Sequence, residues 1–191
     1  MSTIRAFVAL NIPVATVRRV ADFQADLKTK ARKNKIRVGW VPPPNMHITL
    51  KFLGNIPGES AYIIGDRFRE HLAERPAFNV QLKGLGAFPG RSKPRVLWLG
   101  THCEDDEIVK LAADVEEWLE ELGFPKEQRP FHPHLTLGRV KTPKPSVDLL
   151  EGLEQREVGR CVANEVVLYE SEISKRGAEY AALVKIPLVE P

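Results

Sequence analysis

The sequence predicts an α+β fold built on antiparallel sheets. Short apolar runs rich in β-favouring residues recur along the chain, and three other stretches carry apolar residues at helical spacing. The two kinds follow one another in mixed rather than strictly alternating order, which disfavours a parallel α/β sheet. At 191 residues, 43% hydrophobic and 28% charged, the chain fits one domain, or two small lobes sharing an interface. A chain of this length buries about 70% of its unfolded surface, so it needs neither disulfide nor metal staple.

Each element has its own signal. Arg5 to Pro13 reads as a buried strand stopped by proline. Val14, Val17, Val20, Ala21 and Leu27 recur near helical spacing and predict a helix over 14–33 with a basic C-terminal end. Residues 36–56 are extended, broken by Pro42-Pro43-Pro44-Asn45 and resumed as a strand from His47 to Leu53. Ala61, Ile64, Phe68 and Leu72 mark one face of a second helix. Strands are expected over 78–88 and 95–100, joined by a loop at Gly90–Pro94. A third, strongly amphipathic helix runs through Ile108, Leu111, Val115, Leu119 and Leu122. Glu104, Asp105 and Asp106 stand at its favourable end, and Gly123 stops it. A loop over 125–133 leads to a strand over 134–140. The prolines of 141–148 predict an exposed loop, and two last strands, 161–170 and 179–189, flank a turn at 171–177.

Composition excludes several classes. Disorder, collagen and a whole-chain coiled coil do not fit. The two cysteines, Cys103 and Cys161, form no C-x-x-C pair, which argues against a disulfide framework or zinc ribbon and suits a reducing compartment. No apolar run approaches the roughly 20 residues of a membrane span, and the N-terminal residues lack a signal peptide's apolar core. A cytoplasmic protein is expected. The net charge of +3 is compatible with an anionic ligand without demanding one.

One motif stands above the rest. His47-Ile48-Thr49-Leu50 recurs as His134-Leu135-Thr136-Leu137, and two of only five histidines carry it. On a strand, side chains alternate between faces. His47 and Thr49 then share one face while Ile48 and Leu50 pack into a core, and the second copy repeats the arrangement. Each strand offers an imidazole and a hydroxyl about 6–7 Å apart. A single His-x-Thr on a strand is ordinarily structural; a pair suggests chemistry. One neutral imidazole can accept a proton while a protonated one donates, near neutral pH. Threonine hydroxyls can donate hydrogen bonds to an anionic oxygen. Phosphodiester cleavage uses such a set, and no metal is required for it.

With these flanks the sequence resembles the two-histidine (2H) phosphoesterases, and most closely their RNA 2′,3′-cyclic phosphodiesterase (LigT-like, 2′-5′ RNA ligase) branch. The resemblance rests on Arg5-Ala6-Phe7-Val8-Ala9-Leu10, on Trp40 through Gly54, on Arg129 through Arg139, and on Leu168-Tyr169-Glu170-Ser171. It implies one domain over 1–191 made of two similar lobes: a bilobal, pseudo-twofold fold with two antiparallel sheets around a central cleft and helices outside. It also implies hydrolysis of an RNA 2′,3′-cyclic phosphate to a 2′-phosphate, without cofactor. His47 is then the general acid on the 3′-oxygen and His134 the base that activates water. Thr49, Thr136 and Arg139 would bind phosphoryl oxygens, and Phe7 and Phe52 the base or ribose. Some members of that family also join RNA ends through a 2′-5′ linkage. The expected partner is RNA with a cyclic phosphate end, tRNA halves among the candidates, acting on a monomer away from membranes.

Other readings attach to the same residues. Arg139 lies three residues past Thr136, on the wrong face of a regular strand, so it serves the site only if the strand bulges. His132 and His134 form a His-x-His pair that can ligate metals, but His132 reads better as a loop residue at the cleft rim. His71 and His102 read as surface residues, and Trp40 and Trp118 as core. The basic run from Lys28 through Arg37 reads first as a solvated helix end; Arg91, Lys93 and Arg95 sit in a loop that could touch RNA. Gly84-x-Gly86 lacks the following helix of a phosphate-cradling loop. The rival functions are a phosphodiesterase of the same fold for small cyclic nucleotides or an ADP-ribose cyclic phosphate, and a catalytically silent RNA-binding module.

Overall fold

The computed structural model describes residues 2–141, 147–174 and 177–190. Nine strands and four helices follow in chain order among them: β1 (Thr3–Asn11), α1 (Val14–Lys33), β2 (Val38–Trp40), β3 (His47–Pro57), α2 (Ser60–Leu72), β4 (Phe78–Phe88), β5 (Val96–His102), α3 (Glu107–Glu121), β6 (His134–Val140), α4 (Val147–Leu150), β7 (Glu157–Ala163), β8 (Glu165–Ser174) and β9 (Gly177–Pro187). Short 3₁₀ turns at Pro43–Asn45 and Glu104–Asp106 lead into β3 and α3.

The three expected helices form, each with its apolar stripe inward: Val20 and Leu27 in α1, Ile64 and Phe68 in α2, Leu111 and Val115 in α3. Two expectations are corrected. The run 161–170 is not one strand: it divides at Asn164, and a strand begins earlier, at Glu157. β7 pairs with β4, while β8 pairs with β1 and β9. The chain changes neighbours at the polar pair Asn164-Glu165, a break too short to mark two strands with different partners. Leu149 and Leu150 form the buried end of the short α4; the prolines expected in the loop before it fall outside the described residues, as does the tip of the β8–β9 turn.

The strands pair antiparallel in the order β7-β4-β5-β6-β3-β1-β8-β9, with β2 beside β6. The two halves of this sheet, β7-β4-β5-β6 and β3-β1-β8-β9, meet at the two motif strands through the pair Ile48↔Leu135. So narrow a seam needs support, and the helices supply it. α1, which leads from β1 of the second half to β2 beside β6, packs on β7 of the first; α3, which connects β5 and β6, packs on β3 of the second. Each half is thus partly covered by a helix that starts from the other.

Register follows from burial. Ile48, Leu50, Leu135 and Leu137 are all buried on the helix-covered side. Burying each is worth about 1.5–3 kcal/mol. A one-residue slip would expose all four and bury two histidines and two threonines in their place, so the pattern allows one register.

Candidate active site

The alternation that buries the aliphatic residues turns His47, Thr49, His134 and Thr136 to the opposite face, where all four are half-buried. Both imidazoles are tied in the same way. His47 Nδ1–H donates to the Asn45 carbonyl at 2.9 Å, and His134 Nδ1–H donates to the His132 carbonyl at 2.6 Å. A carbonyl only accepts, so each bond fixes the proton on Nδ1 and leaves Nε2 for proton exchange. At His47, Nε2 lies 3.1 Å from Thr49 Oγ1.

Burial dominates the electrostatics of both rings. It pushes His47 down to about 4, against the opposing Asn45 carbonyl bond and helped by charge on His134. His134 is also pushed down, by burial first, with the His132 carbonyl opposing and the charges of His132 and Arg139 adding to the fall. With nothing bound, both rings are neutral at pH 7.

The strands bulge where the Arg139 reading required it. On β6, Thr136 pairs with Trp98 and Gly138 with Leu97, so Leu137 is an extra residue against β5. On β3, Thr49 pairs with Ala9 and Lys51 with Val8, so Leu50 is the extra residue against β1. After each bulge the alternation shifts by one. Leu137 and Gly138 are buried in succession and Arg139 is exposed; Leu50 and Lys51 are buried in succession and Phe52 is 65% exposed. Arg139 and Phe52 therefore join the face of the histidines. The bulged Leu137 carbonyl is held by Val41 N–H at 2.9 Å and by Gln24 Nε2 at 3.0 Å, and the same Gln24 nitrogen reaches the Val41 carbonyl at 2.9 Å. Gln24 is fully buried.

Aromatic rings back each histidine. Phe7 lies 4.8 Å from the His47 ring, and Tyr180 meets that ring edge-on at 5.3 Å. Phe7 is only 2% exposed. It supports the imidazole from behind and does not reach the open face, where base or ribose contact was expected of it. Phe52, 5.9 Å from Phe7, does reach it. Around His134 stand Phe88 at 5.1 Å and Trp98 at 6.2 Å, both edge-on. His132 is exposed at the rim, and its carbonyl is what orients His134.

A groove of about 1180 Å³ includes Thr49, Phe52 and His134 and extends to Arg129 and Phe131 before β6 and to Val109 on α3. Lys51 lies beneath it, buried. It pairs with Glu116 of α3 and donates to the Pro125 carbonyl at 2.8 Å, while Glu116 also accepts from Glu127 N–H at 3.1 Å. One buried ion pair thus fastens the α3–β6 loop to the motif strand.

Several contributors carried no sequence signal that pattern reading could use. Gln24 looks like one polar residue on a helix, and Lys51 sits at a position strand alternation would have exposed. Tyr180 comes from a distant strand. The signal for Asn45 was its place two residues before His47, matched by His132 before His134. His71 and His102 are exposed, as expected, with His71 stacked on Trp118 at 4.7 Å. Gly84 and Gly86 are structural: Gly84 has φ +83° against the Glu154 carbonyl, and the Trp98 ring fills the space a Gly86 Cβ would take. Among the described residues, no three His, Cys, Asp or Glu side chains gather as a group that could hold a metal ion. No described helix is long and apolar enough to cross a membrane.

Fold and site together define a protein with paired His-x-Thr strands at the centre of an antiparallel α+β architecture. The family model of the 2′-5′ RNA ligase superfamily matches residues 12–173, and the chain belongs to that superfamily. Among curated proteins it is 36% identical over 149 residues to the RNA 2′,3′-cyclic phosphodiesterase of Aeropyrum pernix, covering 76% of this chain and 84% of that one. It is 32% identical to the protein of that name from Methanocaldococcus jannaschii, over 94% of this chain and 98% of the other. Among solved structures, the Thermus thermophilus protein TT0787 matches with TM-score 0.78 and 29% identity over 97% of this chain and 98% of its own. E. coli LigT in apo form matches with TM-score 0.75 and 25% identity over 99% of each.

Proposed function

We propose that this chain hydrolyses 2′,3′-cyclic phosphodiester ends of RNA to 2′-phosphomonoesters by general acid–base catalysis between His47 and His134. The observation that carries the reading is the shared tie of the two rings. Each Nδ1–H is held by the carbonyl two residues before it, so the two rings present Nε2 atoms of one tautomer on one face of the sheet. The activity named for the curated relatives agrees with this chemistry.

His134 acts as the base. Burial and the Arg139 cation keep it neutral, and a neutral Nε2 can take a proton from water. Water attacks phosphorus, and the bond to the 3′-oxygen breaks. His47 acts as the acid and delivers its Nε2 proton to that oxygen. Its low proton affinity in the free protein means that the substrate must bring the change: a bound phosphodiester anion offsets the cost of a buried imidazolium. Thr49, Thr136 and Arg139 hold the non-bridging oxygens as charge develops, and Phe52 stacks on the terminal base or ribose. One proton passes from water to His134 and one from His47 to the 3′-oxygen; His134 then loses its proton to solvent and His47 takes up another with the next substrate, so the proton balance closes on the two imidazoles and water. With the 5′-hydroxyl of a second strand in place of water, the same attack on the cyclic phosphate breaks the bond to the 3′-oxygen and joins the two ends through a 2′-5′ linkage. The working unit in this reading is one domain of two similar lobes, a monomer in the cytoplasm, and its substrates include tRNA halves.

The deciding experiment is incubation with EDTA and a short RNA ending in a 2′,3′-cyclic phosphate, followed by identification of the end group by NMR and mass spectrometry. A 2′-phosphate is expected. A 3′-phosphate would reverse the leaving group and with it the assignment of His47. Loss of turnover in EDTA, restored by zinc, would overturn the metal-free cycle. No turnover on RNA or mononucleotides would favour a silent binding module.

A further inference from the structure

Beyond Arg139 the sheet carries a strip of cations that the chemistry above does not use. β2 pairs with β6 so that Gly39 faces Arg139 and Val38 faces Val140; one step further, Lys141 N–H donates to the Arg37 carbonyl at 2.8 Å. Arg37 and Lys141 are thus opposite one another, two residues along their strands from the Gly39–Arg139 pair. Two residues of strand span about 7 Å and return to the same face. Gly39 shows where the Lys141 side chain goes: its Cε would lie 2.8 Å from a Cβ at Gly39. Lys141 therefore folds back across the glycine toward Arg139, on the face that carries the histidines. Arg95, whose carbonyl accepts from Val140 N–H at 2.9 Å, flanks the strip and also lines the groove.

Arg37, Arg95, Arg139 and Lys141 are all exposed, and none is in an ion pair among the described residues. Arg67 and Arg69 on α2, Lys110 on α3 and Lys126 in the loop after it each have an acidic partner, whereas the cations of α1 have no ion pair among the described residues; what sets the strip apart is that Lys141 is folded toward a second cation. Like charges held together without a counter-charge repel, and Lys141 is turned toward Arg139 when it could extend into solvent. That arrangement suits a row of anions.

From this geometry we infer that Arg37 and Lys141 bind the phosphodiester backbone of the RNA immediately upstream of its cyclic end, so that the enzyme selects oligonucleotides over mononucleotides. The inference rests on the proposed function. An RNA chain supplies its next anion one nucleotide from the reacting phosphate, and the strip supplies its next cations about 7 Å from Arg139. A nucleoside cyclic monophosphate has only the reacting phosphate and gains nothing from the strip. Contacts of this kind add affinity without reading sequence.

The test compares wild type with the R37A/K141A pair on a short single-stranded RNA with a 2′,3′-cyclic end and on a nucleoside 2′,3′-cyclic monophosphate. On RNA at low salt, kcat/KM should fall about tenfold, and its logarithmic salt dependence should become shallower by about 1.4, from roughly 0.7 for each of two lost phosphate contacts. On the mononucleotide the rate should stay within about twofold of wild type, and R67A/R69A, with the same loss of charge, should change neither substrate. An equal fall on both substrates, or an unchanged RNA rate and salt slope, would overturn the inference. If wild type turns over neither substrate, the functional reading has failed. Anisotropy with a fluorescent single-stranded RNA then decides for the strip alone. Weaker, less salt-sensitive binding by the double variant keeps it; equal binding, or none by wild type, removes it.

Discussion

Phe52 and Arg139 occupy equivalent places in the two halves of the molecule. Each stands three residues past the threonine of its motif, and each is turned onto the histidine face by one extra residue, Leu50 in β3 and Leu137 in β6. The backbone repeats while the chemistry does not: one side presents a flat apolar ring, the other a guanidinium. Under the proposed mechanism this difference would orient a nucleotide between two otherwise matched histidines, with the base toward β3 and Arg139 on the phosphoryl oxygens from β6.

The two residues should therefore fail differently. Arg139→Ala removes charge-assisted hydrogen bonds worth about 1.5–3 kcal/mol, so kcat/KM should fall roughly 10- to 100-fold, mostly in kcat. Phe52→Ala removes stacking worth about 1–3 kcal/mol and should act mainly through KM. Steady-state kinetics on the RNA substrate separates them, and the same kcat-to-KM pattern in both would refute the division of labour.

Removal of either imidazole should cost about 10²–10⁴ in turnover. His47→Ala and His134→Ala combined should cost little more than the worse of the two, because acid and base act as a unit. Single-turnover assays on the three variants measure this. Near-wild-type turnover in either single variant would dismiss the mechanism.

Proton linkage gives a test that needs no turnover. His47 binds a proton less readily folded, near 4, than unfolded, near its ordinary 6.5. Its contribution to stability is therefore present in full above about 6.5 and is lost as pH falls toward 4. Urea midpoints should drop more steeply between pH 7 and pH 4.5 for wild type than for His47→Gln. Ligand binding should run the other way. Calorimetry of 2′-AMP binding at pH 7.5 in buffers of different ionisation enthalpy should show net proton uptake by wild type and less by His47→Gln. Proton release, or equal uptake by both, would count against an imidazolium at His47 in the complex.

Gln24 should couple stability to activity. Gln24→Leu leaves the bulged Leu137 carbonyl with one partner instead of two, and a lost buried hydrogen bond of this kind costs about 1–3 kcal/mol. If Gln24 acts by holding the bulge that carries Arg139, the loss of kcat in Gln24→Leu should be largely absent in an Arg139→Ala background. Additive effects would make Gln24 merely structural.

Much was legible in the sequence by itself. The duplicated His-x-Thr-x pattern fixed which faces of β3 and β6 are polar, because a period of two leaves no freedom once the aliphatic residues must be buried. The three helices followed from their apolar stripes, and α1 spans the expected 14–33. These are local consequences of periodicity. Tertiary structure decided what depends on neighbours. It split the run 161–170 at Asn164 between the two halves, and it sent Phe7 behind His47 while Phe52 reached the open face. It also brought Gln24 to the Leu137 carbonyl and Lys141 across Gly39. A bulge is a mismatch between two strands, and one strand's sequence cannot show how many residues its partner will place opposite. For that reason the histidines could be read from the chain, whereas the positions of Arg139 and Phe52 had to wait for the pairing of β6 with β5 and of β3 with β1.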